Sequence, residues 1–97
     1  MLAVPPDSWY LRKEGGGHAL GVCDDNLKTI FISIGLPEWR LVKVLCHEIV
    51  HAAMFSYNVE LTIEQEEIVA DIVATYGREI IEFTNETFKK IKGAYLK

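Results

Sequence analysis

The chain has 97 residues, is 49% hydrophobic and 25% charged, and carries a formal net charge of −4 with a pI near 5.3. That length supports one domain around one core. The acidic balance excludes the basic footprint expected of a nucleic-acid binder. No apolar run approaches membrane-spanning length, and the start, Met1-Leu2-Ala3-Val4-Pro5-Pro6, lacks the basic residues of a signal peptide. A cytoplasmic protein with no membrane partner is the expectation.

In chain order, residues 1–7 read as an extended lead-in stiffened by Pro5 and Pro6. Residues 8–12, Ser-Trp-Tyr-Leu-Arg, are rich in strand formers and read as a further strand. Gly15-Gly16-Gly17 follows as a loop, and it lacks the Lys-Ser/Thr that would complete a phosphate-binding loop. Residues 18–34 read as a β-hairpin whose turn is Asp24-Asp25-Asn26, with Ile30, Ile32 and Ile34 on one face of its second strand and Phe31 on the other. Pro37 and Glu38 suit the first turn of a helix spanning about 37–56. Trp39, Val42, Leu45, Ile49 and Ala53 recur at helical spacing, and Leu41 and Val44 widen the stripe, so this helix is expected to be central and buried.

Thr62 and Gln65 form a capping box that opens a second helix, about 63–76. Gly77 weakens it and marks a bend, after which helix continues or restarts to about 92. Charge is segregated here. Residues 61–82 hold six acids against Arg78, whereas the stretch after Asn85 holds Lys89, Lys90, Lys92 and Lys97 against Glu86 alone. The plain reading of those lysines is a solvated helix end. The two cysteines, Cys23 and Cys46, match neither a disulfide framework nor a thiolate metal site, and Cys46 reads as a packed thiol behind His47.

The polar exceptions on the first long helix are His47, Glu48 and His51, in the pattern His-Glu-x-x-His. Residues four apart share a helix face, so both histidines can point at one metal ion while Glu48 reaches a water beside it. A catalytic zinc site needs a third protein ligand, and the candidates are His18, Glu60, Glu64, Glu66, Glu67 and Asp71. Glu67 and Asp71 share a face of the second helix, with Ala70 and Ala74 on or near it, small enough for the two helices to approach closely. Two carboxylates on such a face are costly to bury without a cation or donor. One zinc ion bound by Glu67, with Asp71 holding the far nitrogen of a ligand histidine, answers that cost. The competing reading is a helix pair whose core polar groups satisfy one another.

His47-Glu48-x-x-His51 followed by Glu67-x-x-Ala70-Asp71 resembles the gluzincin metallopeptidases, whose thermolysin-like members carry HExxH followed by ExxxD. The short spacing and the stretch Glu67-Ile68-Val69-Ala70-Asp71-Ile72-Val73-Ala74 look most like the small ImmA/IrrE-type zincins, often phage-borne. The resemblance runs over roughly residues 27–74. It implies an α+β, minimal zincin-like fold: a small antiparallel sheet packed on the active-site helix and the second helix.

It also implies one Zn2+ held by His47, His51 and Glu67, with Glu48 as general base and Asp71 behind a ligand. The implied reaction is hydrolysis of a peptide or protein substrate by metal-activated water, the substrate adding to the sheet edge that the hairpin supplies. The alternative is a catalytically silent, zinc-stabilised binding or regulatory module, for which a fourth protein ligand such as His18 would argue. Only fifteen residues separate His51 from Glu67, leaving little room for a substrate-shaping insertion. His18, Tyr57 and Tyr76 are the candidates for an oxyanion donor. Oligomeric state is not legible.

Overall fold

A computed structural model describes residues 1–95 of the chain. It is an α+β structure in which a three-stranded sheet, in the order β1-β3-β2, backs a long helix. The strands are β1 (Leu2–Val4), β2 (Gly21–Asp24) and β3 (Thr29–Ser33). The helices are α1 (Glu38–Ser56), α2 (Ile63–Ile72) and α3 (Arg78–Tyr95), the last two joined without a break by a π-helical turn, Val73–Gly77.

The expected hairpin is present as β2 and β3, antiparallel, with Gly21 opposite Ile32 and Asp24 opposite Thr29. Its turn is held by Asp24, whose Oδ1 accepts the Leu27 N–H at 3.0 Å. The left-handed residue is Lys28 (φ 52), and not one of the Asp or Asn residues. The strand expected to begin at His18 begins at Gly21, and His18 itself makes only an isolated bridge to Arg12.

Two expectations about the sheet are corrected. Residues 8–12 do not form a strand. Trp9–Leu11 is a single 3-10 turn, started by Ser8, whose hydroxyl accepts the Tyr10 N–H and whose carbonyl accepts the Leu11 N–H. The turn drives Leu11 fully inside and stacks Tyr10 on Phe31, ring centroids 4.2 Å apart and nearly parallel. That stacking covers the second face of β3, where Phe31 and Ser33 are buried alongside Ile32 on the first. Nor is the sheet purely antiparallel. Leu2–Val4 pairs parallel with β3, Leu2 opposite Phe31 and Val4 opposite Ser33, and the prolines that follow end it.

Helix α1 begins one residue later than expected, with Pro37 as its N-cap, and ends where expected. It touches the sheet on one side and α2 and the π-helical turn on the other. It is central but not buried all round: Trp39 is 70% exposed, and Leu41, Ile49 and Phe55 also reach the surface. With one small sheet and one partner helix, the chain covers only part of its apolar circumference. The chain leaves α1 through Asn58 in the left-handed region (φ 52), and the Val59 N–H returns to the Met54 carbonyl.

The capping box of α2 is complete: Gln65 N–H to Thr62 hydroxyl and Thr62 N–H to Gln65 side chain. Gly77 ends the π-helical turn, and helical backbone continues without a break over 63–95, its last part reaching beyond the body of the protein. Among the described residues no helix is long and apolar enough to cross a membrane.

Candidate metal centre

Three elements converge on one point. Helix α1 supplies His47, Glu48 and His51; α2 supplies Glu66, Glu67 and Asp71; the edge strand β2 lies beneath Glu48. The approach of α1 to β2 depends on Gly21. A Cβ there would stand 2.8 Å from Val44 Cγ1, 3.0 Å from Ile32 Cδ1 and 3.1 Å from Glu48 Cγ. The Ser33 N–H donates to the Leu20 carbonyl, so the strand alternation turns the backbone groups of Gly21 and Cys23 away from β3, toward the open edge. The Cys23 N–H, so oriented, faces the Glu48 carboxylate and favours its charged form.

On the other side of α1, the stripe that faces it is Glu66 and Ala70 of α2 and Ala74 of the π-helical turn. Ala70 is completely buried and Glu66 mostly covered, whereas Glu67 and Asp71 sit on the flank and stay open to solvent. Small residues at 70 and 74 let the helices close up.

Within this frame His47 Nε2 and His51 Nε2 lie 3.1 Å apart. The Glu67 carboxylate spans them, Oε2 at 3.1 Å from His47 Nε2 and Oε1 at 3.0 Å from His51 Nε2. Each ring is held from behind by a carboxylate: His47 Nδ1 is 3.0 Å from Asp71 Oδ1, and His51 Nδ1 is 2.6 Å from Glu66 Oε1.

Those rear contacts fix the chemistry of the front. A carboxylate only accepts, so Asp71 and Glu66 favour a proton on each Nδ1, which makes Nε2 the atom that each ring can offer to a metal ion. Two imidazole Nε2 atoms and a carboxylate thus meet at about 3 Å, a set of acceptor atoms that a small cation, a metal ion or a proton, can bridge. His47, His51 and Glu67 are the three residues among those described whose ligand atoms lie close enough together to hold a metal ion. Two imidazoles and one carboxylate are a donor set that would suit zinc and would leave room for one further ligand.

Glu48 is 8% exposed, the one buried carboxylate of the chain's described part. Burial pushes its carboxyl above the usual range; His47 and His51 pull it down, Glu67 pushes it up, and the Cys23 N–H pulls it down again. The Cys23 thiol is also raised, first by its own burial and then by the charge of Glu48.

Clefts open on both sides of the cluster. One, of about 770 Å³, runs between Lys13, Trp39, Arg40 and Lys43 to His47, Glu48 and Glu67. The other, of about 480 Å³, lies between Val22, Phe55 and Ile63 and reaches Glu48, His51 and Glu66. Both run along the open edge at Gly21.

Of the six candidate third ligands, the structure brings Glu67 to the histidine front and Glu66 and Asp71 to their backs. His18, Glu60 and Glu64 are exposed and outside the cluster. Neither His18, Tyr57 nor Tyr76 lines either cleft, so none is positioned as an oxyanion donor. Cys46 is partly covered and free, and takes no part in the cluster.

The role of Glu66 is the residue-level feature that sequence reasoning missed; it stood there only as one of several interchangeable acids. The available signal was its place four residues before Ala70 and eight before Ala74, on the small-residue stripe. Comparison of the chain with protein-family models, with curated proteins and with solved structures finds no match in any of the three.

Proposed function

We propose that the protein is a zinc-dependent hydrolase of the gluzincin type that cleaves peptide bonds. The observation that carries this reading is the convergence of His47 Nε2, His51 Nε2 and both Glu67 oxygens, with Glu48 buried beside them. Zinc held by His47, His51 and Glu67 would supply Lewis acidity toward a water and the carbonyl to be attacked.

The chain's own residues do the rest. Asp71 and Glu66 keep the protons of His47 and His51 on Nδ1 and fix the ring planes, so that binding needs no reorganisation of either ligand. Glu48 takes a proton from the attacking water at its carboxylate and returns it to the leaving nitrogen. Burial keeps this carboxylate out of bulk water, beside the position where the attacking water would stand.

Substrate backbone has a natural berth on the open edge of β2, where the polar groups of Gly21 are turned outward. A segment extended there runs through both clefts, past Lys13, Arg40 and Lys43 on one side and Phe55 and Ile63 on the other. The zincin-like fold and the ImmA/IrrE-type likeness belong to this same reading, carried by the residue pattern His47-Glu48-x-x-His51 and Glu67-x-x-Ala70-Asp71.

The test is Glu48→Gln assayed on a mixed peptide library, with metal content measured on the same sample. The reading expects unchanged metal and hydrolysis lost by a factor of about 100 or more. Hydrolysis at the wild-type rate removes Glu48 as the base. A metal-replete wild-type chain without hydrolysis of any library member turns the reading toward a zinc-stabilised binding module.

A further inference from the structure

Helix α3 is the largest part of the chain that neither the sheet nor the metal cluster uses. Its main contacts are with the π-helical turn that precedes it, and it projects from the body as a single helix. Yet it is the most strongly amphipathic element of the protein. At 100° per residue, Ile80, Thr84, Thr87 and Ile91 run down the middle of one face, with Phe83 and Phe88 at its two edges. The large side chains of this face are open: Ile80 is 57% exposed, Phe83 71%, Phe88 50% and Ile91 44%. The Thr84 hydroxyl is satisfied by the Ile80 carbonyl at 2.7 Å, so Thr84 can be covered without stranding a polar group.

The order of these residues is palindromic about the midpoint between Asn85 and Glu86. Ile80, Phe83 and Thr84 on one side are answered by Ile91, Phe88 and Thr87 at equal distances on the other. A two-fold axis through that midpoint therefore lays the face onto itself. Ile80 meets Ile91 of a second copy at each end of the seam, Thr84 meets Thr87 near its centre, and Phe83 and Phe88 close its sides.

Charge points the same way. The first half of α3 carries Glu79, Glu82 and Glu86 against Arg78, the second half Lys89, Lys90 and Lys92 with no acid. Two copies side by side in parallel would set acid against acid and lysine against lysine. Reversing one sets each acidic half against a basic half. Glu79 and Lys90 flank the apolar face on the same side, so the reversed pair brings Glu79 of each copy to Lys90 of the other. A membrane surface fits less well, since half of the polar side of the helix is acidic.

We infer that α3 is a self-association surface, on which two copies of the chain pair through antiparallel α3 helices about a two-fold axis between Asn85 and Glu86. The pairing leaves the metal cluster and both clefts, which no α3 residue lines, open in each copy. One helix pair lies at the small end of specific interfaces, below about 1,200 Å² in total, so the dimer comes apart on dilution.

The experiment is sedimentation velocity on the full chain over a wide concentration series. The expected result is a concentration-dependent particle of twice 11.0 kDa. Phe83→Glu with Phe88→Glu, on exposed positions that leave the helical circular dichroism intact, abolishes it. Orientation is read from a charge swap: Glu79→Lys and Lys90→Glu each weaken the dimer about tenfold, and the double variant regains the wild-type dissociation constant. A chain that stays monomeric at its highest soluble concentration overturns the inference, whether or not it then sediments with anionic vesicles. So does a dimer indifferent to the Phe83 and Phe88 changes, and a swap without rescue overturns the antiparallel arrangement.

Discussion

Glu66 and His51 meet across two helices at 2.6 Å, carboxylate oxygen to Nδ1, the shortest polar contact in the metal cluster. His51 is already the less exposed of the two histidines, and Glu66 is the more covered of the two carboxylates behind them. The contact therefore fixes the ring whose freedom is smallest, while Asp71, largely in water, holds His47 more loosely.

On the proposed zinc reading, Glu66→Ala weakens metal binding about 10- to 100-fold, the usual cost of removing a carboxylate behind a ligand histidine. Asp71→Ala costs less, because Asp71 is 72% exposed and water competes for the same nitrogen. Competition with a chromogenic chelator ranks the two. The reverse order would show that exposure does not set their worth.

Gly21→Ala is expected to destabilise the fold by about 1–3 kcal/mol, since the new methyl group meets three side chains inside van der Waals distance. One of the three belongs to Glu48. The urea midpoint should fall at constant m, and an unchanged midpoint would mean that α1 stands off β2 farther than the contacts indicate.

Burial raises the Glu48 carboxyl, so in the metal-free chain its folded value lies above its unfolded one. Its favourable contribution is whole below the unfolded value and is lost as pH rises through the folded value. Glu48→Gln stays neutral throughout. Thermal unfolding in chelator should therefore find Glu48→Gln more stable than wild type at neutral pH, with the gap closing in acid. A gap that widens in acid would reverse the sign and contradict the burial argument.

The Cys23 thiol offers an independent probe of the same carboxylate. Its value is raised by burial and by Glu48, so alkylation of Cys23 is slow at neutral pH and accelerates only above the ordinary thiol range. Glu48→Gln removes the second cause and should speed the reaction at a given pH. Peptide mapping after timed iodoacetamide treatment separates Cys23 from Cys46.

How far the sequence carries can be judged residue by residue. The extent of α1 followed from a long apolar stripe opened by Pro37, and the capping box at Thr62 and Gln65 is a local signal that needs no tertiary partner. The nearness of His47 and His51 is a property of any helix, four residues being just over one turn. What was not legible depends on distant partners. Leu2–Val4 is a strand only because β3 offers it an edge, and Trp9–Leu11 is a turn because burying Leu11 and stacking Tyr10 on Phe31 outweigh strand propensity. Glu66 could not be told from its acidic neighbours because its role depends on which stripe of α2 faces α1. That is settled by packing at Ala70, not by charge. The exposed sides of α1 were hidden for a related reason: periodicity shows which residues could be covered, not whether the chain has enough structure to cover them.

Metal stoichiometry tests the centre most directly. Wild type, Glu67→Ala and Glu64→Ala, each loaded with zinc, dialysed and measured by mass spectrometry of the metal, should give one zinc per chain for wild type and Glu64→Ala. Glu67→Ala should retain little, because it loses the one carboxylate that spans both histidines. Equal zinc in all three, or none in the wild type, would contradict the assignment of His47, His51 and Glu67 as the ligands.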